Sequence, residues 1–145
     1  MDSHRGKIGP PVEELVERLG HRDWLERARA AGTLVRQGRR GVAVVGPLSL
    51  ALASARAVVR SLAAQVLGRL GARARAALPA LVGALRDRAP AVRRQAAAAL
   101  GRIDPVVAVL AQRRAAREGR PGVCSLDGLA AHPAGPDGWR PRRAA

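Results

Sequence analysis

The sequence contains no phenylalanine and no tyrosine, and tryptophan occurs only twice. The hydrophobic residues, 48% of the chain, are therefore mostly Ala, Leu and Val. A chain rich in Ala, Leu and Arg favours α-helix by intrinsic propensity. Because aromatic side chains are so few, the core has to be thin and built from close approaches between helices.

Chemically reactive groups are also few. Cys124 is the only cysteine, which excludes an intrachain disulfide and a multi-cysteine metal site. His4, His21 and His132 lie far apart in the sequence and show no ligand spacing. The chain lacks a Gly-rich phosphate loop, an HExxH motif and a nucleophile with a general base nearby. We therefore predict a non-enzymatic protein with no catalytic residues, no bound metal and no cofactor.

No apolar segment has the length of a membrane span. The best candidate, residues 41–55, is too short for a bilayer and contains Gly46-Pro47. The N-terminal segment lacks the apolar core of a signal peptide. These features predict a cytoplasmic protein with no membrane partner.

Acidic residues are scarce. There are 11 Asp and Glu against 26 Lys and Arg, a formal charge of +15, and no acidic residue lies between Arg27 and Arg86. A basic surplus of this size favours a polyanionic partner such as nucleic acid. GC-rich codons also encode Arg, Ala, Gly and Pro, so the charge alone does not separate binding from codon bias.

What the sequence does contain is a repeat of 33 residues. The segment Val92–Ile103 is preceded by a close copy, Val59–Leu70, and by a fainter one, Glu26–Gln37. Five apolar columns recur at this interval: Leu15/Leu48/Leu81, Leu19/Leu52/Leu85, Ala30/Ala63/Ala96, Ala31/Ala64/Ala97 and Leu34/Leu67/Leu100. Each unit is a first helix, a turn bearing Gly and Arg, and a second helix. Stacking such units makes a continuous core that one unit cannot make alone.

The segment Leu78–Ile103, LPALVGALRDRAPAVRRQAAAALGRI, resembles the HEAT repeat, in particular the HEAT-like repeats named after bilin lyases (PBS lyase). The resemblance covers about residues 11–110. It implies an all-α fold, a short right-handed α-solenoid of about three and a half HEAT-like helical hairpins, whose second helices line a concave surface. It also implies a scaffold or adaptor that binds other proteins.

The same family carries an Asp six residues before the Arg of a Val-Arg pair. Asp87 and Arg93 match this pattern, whereas His21 and Ser54 stand at the Asp position of the earlier units. We therefore expect an inter-repeat Asp–Arg contact at the last junction only.

The chain divides into three predicted segments. Residues 1–9 form a flexible leader, residues 10–117 form the solenoid, and residues 118–145 form a disordered, basic tail rich in Gly and Pro. The apolar stripe after Ile103 predicts a closing helix with a polar outer face, as terminal repeats require.

At the N-terminal end, Asp23 is expected to cap a helix that runs to about Gln37 and is ended by Gly38. Asp23, Trp24 and Arg27 together could also suggest a base-excision site, since HEAT-like DNA glycosylases exist. Such enzymes stack bases on aromatic side chains, which this chain nearly lacks. We expect Asp23 to act as a helix cap and Trp24 to pack in the first unit. A lyase-like or glycosylase-like enzyme is a minor alternative.

A first candidate binding surface lies along the second helices. Its charge grades from acidic through small apolar residues to basic, which suits a protein segment laid into a groove better than a nucleic-acid backbone. The residues predicted for this protein-binding groove are Glu14, Glu17, Leu50, Ala51, Gly83, Ala84 and Arg86.

A second candidate surface lies at the turns inside the hairpins. The repeat places arginines there, and stacked turns would form a basic edge able to hold phosphate groups without base recognition. Arginine in the last turn of a helix also interacts favourably with the helix dipole, so part of this set has a purely structural explanation. The predicted anion or nucleic-acid edge consists of Arg36, Arg39, Arg40, Arg69, Arg73, Arg75 and Arg102.

Overall fold

The computed structural model describes residues 9–118, and within that range all regular structure is helical. The helices in chain order are α1 (Val12–Arg18), α2 (Trp24–Arg39), α3 (Val45–Ala51), α4 (Ala57–Leu70), a 3₁₀ helix (Gly71–Ala77), α5 (Leu78–Ala84), α6 (Pro90–Ile103) and α7 (Pro105–Arg117). The all-α prediction is confirmed. The predicted leader and tail lie almost entirely outside the described residues.

The helices stack in two layers. The long helices α2, α4 and α6 pack side by side, with α4 between the other two, and the short helices α1, α3 and α5 pack against the long ones. Helix α7 comes after α6 and continues the short-helix layer, where Ala111 and Ala115 line a small cavity with Val82. The result is a short solenoid of repeated helical hairpins, as the sequence period predicts.

The apolar columns of the repeat form the core between the two layers. The three columns of leucines are buried, and the two columns of alanines are buried apart from Ala97, which is half-buried. Val44, Val66 and Val92 fill the remaining space and are fully buried. Burial therefore recurs every 33 residues, which confirms the repeat as the basis of the fold.

The tightest contact in this core is between α4 and α6. A Cβ atom built on Gly68 would lie 2.9 Å from the Cα atom of Ala99, so the two helix backbones touch at this point. Only glycine allows so close an approach. The prediction that a core without aromatic residues needs close helix packing is confirmed at this pair.

Two predictions about α2 are settled by its ends. The Asp23 carboxylate accepts a hydrogen bond from the backbone N–H of Leu25, 2.9 Å away, and caps the helix as expected. Gly38 does not end the helix. It lies buried inside α2 because Leu70 and Val44 pack against it, and the left-handed residue after the helix is Gly41, with a φ of 89°.

The two outer faces of the stack differ from expectation. Trp24 does not pack in the first unit, because it is the first residue of α2 and points away from the core with 69% of its surface exposed. The outer face of α7 is not polar throughout, since Val106 and Leu110 are exposed there. Of the described helices, none is both long and apolar enough to cross a membrane.

Candidate interaction surfaces

One arginine of each repeat holds the turn in front of a long helix. Nη1 of Arg60 donates hydrogen bonds to the carbonyl oxygens of Ser54 and Ala55, at 2.8 and 3.1 Å. Arg27 and Arg93 donate in the same way to the carbonyls five and six residues before them. These arginines are therefore structural, which the 33-residue spacing signalled without revealing their role.

Arg60 also forms the inter-repeat contact expected at the last junction. Its Nε and Nη2 atoms donate to the two carboxylate oxygens of Asp87, at 2.7 and 2.9 Å, and both side chains are largely buried. The hydrogen bonds from Arg60 hold the pKa of the Asp87 carboxyl below its ordinary value, against the opposing effect of burial, and the backbone N–H of Ala89 adds to the lowering. The same hydrogen bonds raise the pKa of Arg60. The pair ties α4 to the turn before α6.

The residues considered for base excision have structural roles. The Asp23 carboxylate is used in the helix cap, and the Arg27 guanidinium is used by the carbonyls of His21 and Arg22. Trp24 extends into solvent beside them. Within residues 9–118 there is also no group of three or more His, Cys, Asp or Glu side chains that could hold a metal ion. Cys124 lies outside the described residues.

The predicted protein-binding groove is only partly on the surface. Ala51 and Ala84 belong to the core, because both face inward from short helices whose buried stripe they complete. These two residues therefore do not belong to the candidate surface. The exposed members are Glu17, Leu50, Gly83 and Arg86, together with the half-buried Glu14.

The exposed members share one feature, which is an apolar centre with a charged residue at each end. Leu50 is 78% exposed, the highest value among the large hydrophobic residues of the described chain. No side chain lies within 4 Å of a Cβ atom built on Gly46 or Gly83, so the surface around Leu50 is bare. Arg86 is bound to Glu118. We call Glu17, Leu50, Gly83 and Arg86 the short-helix face.

The arginine edge has the predicted positions. All seven members are exposed, in the last turns of α2, α4 and α6, at the end of α2 and in the 3₁₀ helix. Arg75 lies 3.4 Å from the Asp104 carboxylate, whereas no carboxylate of the described residues lies within 4.0 Å of Arg40 or Arg73. The edge therefore presents arginines whose charge is not neutralised locally.

A third surface was not predicted. A groove of about 610 Å³ runs between α6 and α7 at the C-terminal end of the stack, and small or apolar residues make most of its lining. Arg94 and Arg102 stand among these residues. We call this the terminal groove and define it by Arg94, Ala97, Ala98, Gly101, Arg102 and Val109.

The repeated hairpins, the buried 33-residue columns and the clamping arginines define a helical-repeat solenoid. Comparison with protein families matches residues 45–123 to HEAT repeats, which is more than half of the chain. The chain therefore belongs to the HEAT-repeat family. No curated protein matches it. The narrower resemblance to bilin-lyase repeats stays a prediction.

Proposed function

We propose that the protein is a non-enzymatic interaction module that binds a segment of another protein on the short-helix face. HEAT repeats are commonly protein-interaction scaffolds. The observation that carries the proposal is the exposure of Leu50 at the centre of a bare surface. Interface energy concentrates on a few central apolar residues surrounded by a polar rim, and Leu50 with Glu17 and Arg86 fits that pattern.

The test is a Leu50→Glu variant. We expect it to lose partners that the parent chain retains in pull-down from its own cells, because a charge at the centre of an apolar contact would be desolvated without a counter-ion. Leu50 makes no core contact that the change would remove, so the thermal melt should match the parent. A matched control is Val58→Glu on α4, an exposed apolar residue outside this face, which should keep the partners. Identical partners for parent and Leu50→Glu would contradict the proposal.

The arginine edge supports a second candidate function, which is binding of nucleic acid through phosphate groups. The supporting observation is that Arg40 and Arg73 are exposed with no described carboxylate close to them. With so few aromatic side chains in the chain, base stacking has little to contribute, so binding would not depend on sequence.

This candidate predicts a steep salt dependence. Binding to duplex DNA should weaken as salt rises, with a slope of about −0.9 in log K against log salt for each phosphate neutralised. The double variant Arg40→Glu/Arg73→Glu should bind more weakly and show a shallower slope in fluorescence anisotropy. Absence of binding at low salt would exclude this function, and an unchanged slope in the variant would place the contact elsewhere.

A further inference from the structure

The terminal groove occupies the position of a long helix. In the middle of the stack, α6 packs against both α4 and α5, with Ala99 of α6 on Gly68 of α4. One repeat later the corresponding space lies between α6 and α7, and it is the groove of about 610 Å³. Its walls are therefore a surface of the kind that holds a helix elsewhere in this chain.

The repeat shows which residues would receive such a helix. Ala97 and Gly101 stand 33 residues after Ala64 and Gly68, which α6 helps to bury. Gly101 is exposed, and a Cβ atom built on it would meet nothing within 4 Å. The side of α6 that faces the groove thus keeps the small residues that make close helix packing possible at Gly68.

The two ends of the solenoid are not equivalent. On α2, Glu26 and Thr33 occupy the positions that Val59 and Val66 fill on α4, so the first long helix has polar residues where an inner helix is apolar. This is how a terminal repeat protects its outer face from water. At the C-terminal end, small apolar residues stay in the groove, and no such polar exchange is made at Gly101.

The charges of the groove indicate what kind of helix fits. Arg94 and Arg102 line it, and none of the described carboxylates lies within 4.0 Å of either guanidinium group. Acidic residues on a partner would meet these two arginines, and complementary charge favours both the encounter and the choice of partner.

We propose that the terminal groove binds an amphipathic helix of another protein, about as long as the 14-residue α6. Small residues of that helix pack on Ala97 and Gly101, and acidic residues beside them meet Arg94 and Arg102. The partner supplies the next long helix of the stack. This site is separate from the short-helix face and does not depend on it.

Two other occupants fit less well. A second copy of the chain would bring the outer face of its α2, with Arg29 and Arg36, against the arginines of the groove. The C-terminal segment of the same chain is interrupted by Gly and Pro so often that its longest stretch without either is Val123–Asp127. Glycine and proline disfavour helix interiors, so this segment cannot supply a helix of the required length.

The test uses two labelled, side-chain-stapled peptides and the full chain. Both peptides have one Ala-rich face, flanked by Glu in the first and by Lys in the second. In fluorescence anisotropy we expect the Glu peptide to bind and the Lys peptide not to bind. The double variant Arg94→Glu/Arg102→Glu should exchange this preference, with a change of about tenfold or more in each affinity.

Two further variants locate the contact. Gly101→Leu should weaken the Glu peptide by about tenfold or more, because the added side chain fills the groove. The variant Arg40→Glu/Arg73→Glu, with the same change in net charge on a different surface, should bind the Glu peptide as the parent does, and so should Leu50→Glu. Equal binding of both peptides, or a charge-reversed groove that keeps its preference, would overturn the proposal.

The other occupants give distinct results, and either would also overturn it. If a second copy fills the groove, sedimentation equilibrium would show self-association that Gly101→Leu removes. If the C-terminal segment fills it, a spin label on the single cysteine, Cys124, would broaden the amide NMR signal of Gly101 in the free protein. The proposal expects a monomer and an unbroadened signal.

Discussion

Replacing Asp87 by alanine lowers the free energy of unfolding by about 3–5 kcal/mol, the usual effect of removing one partner of a buried ion pair. Arg60 is 6% exposed, so its guanidinium group would stay buried without its counter-ion. The variant also loses the hydrogen bond that the carboxylate accepts from the backbone N–H of Ala89, at 2.8 Å. Urea denaturation followed by circular dichroism measures the difference.

The matched control is Arg75→Ala. Arg75 also pairs with an aspartate of a later segment, Asp104, but its side chain is 67% exposed and the atoms are 3.4 Å apart. Exposed pairs of this kind contribute about 0–1 kcal/mol, so this variant should unfold close to the parent. If Asp87→Ala were as stable as Arg75→Ala, the buried pair would not tie the two repeats together.

The same pair makes the stability depend on pH. Because Arg60 lowers the pKa of Asp87 in the folded chain, the unfolded chain binds the proton more readily, and acid favours unfolding. The contribution of the pair is complete above the ordinary aspartate pKa of 3.8 and is lost as the pH falls through the lower, folded-state value. The stability difference between parent and Asp87→Ala should therefore be constant near neutral pH and shrink in acid. A difference that grew in acid would reverse the assigned direction of the shift.

The repeat made most of the fold predictable from the sequence. The leucine and alanine columns identify the core because their spacing places them on the same face of successive helices. The Asp pattern likewise located a contact at the last junction, and Asp87 makes it with Arg60. The pattern could not show that Arg60, Arg27 and Arg93 hold the preceding turns, because side-chain bonds to carbonyl groups leave no mark on residue type.

The candidate surfaces were less predictable, for two physical reasons. On a seven-residue helix the exposed and buried stripes are adjacent, so Ala51 falls in the core while its neighbour Leu50 faces water. The terminal groove depends on whether a further long helix packs against the last one. Gly101 and Gly68 occupy the same place in the pattern, and they differ only because α6 covers one of them.

That difference gives the second large effect. Replacing Gly68 by leucine should lower the free energy of unfolding by about 3 kcal/mol or more, at the upper end of the range for overpacked cores. A Cβ atom at this position is already 2.9 Å from the Cα atom of Ala99, and a backbone atom cannot move aside as a side-chain end can. The helices α4 and α6 would have to separate along the contact that joins the last two repeats. Urea denaturation measures this loss as well.

Gly101→Leu is the control, since it makes the same change at the equivalent position of the next helix. Gly101 has open space around it, and leucine is the better helix former by about 0.8–1 kcal/mol. This variant should therefore be as stable as the parent or more stable. The contrast between the two isolates the close helix approach from helix propensity, because propensity alone favours leucine at both positions. Equal stability of the two variants would mean that α4 and α6 do not touch at Gly68, and the groove beside Gly101 could then not be inferred from that contact.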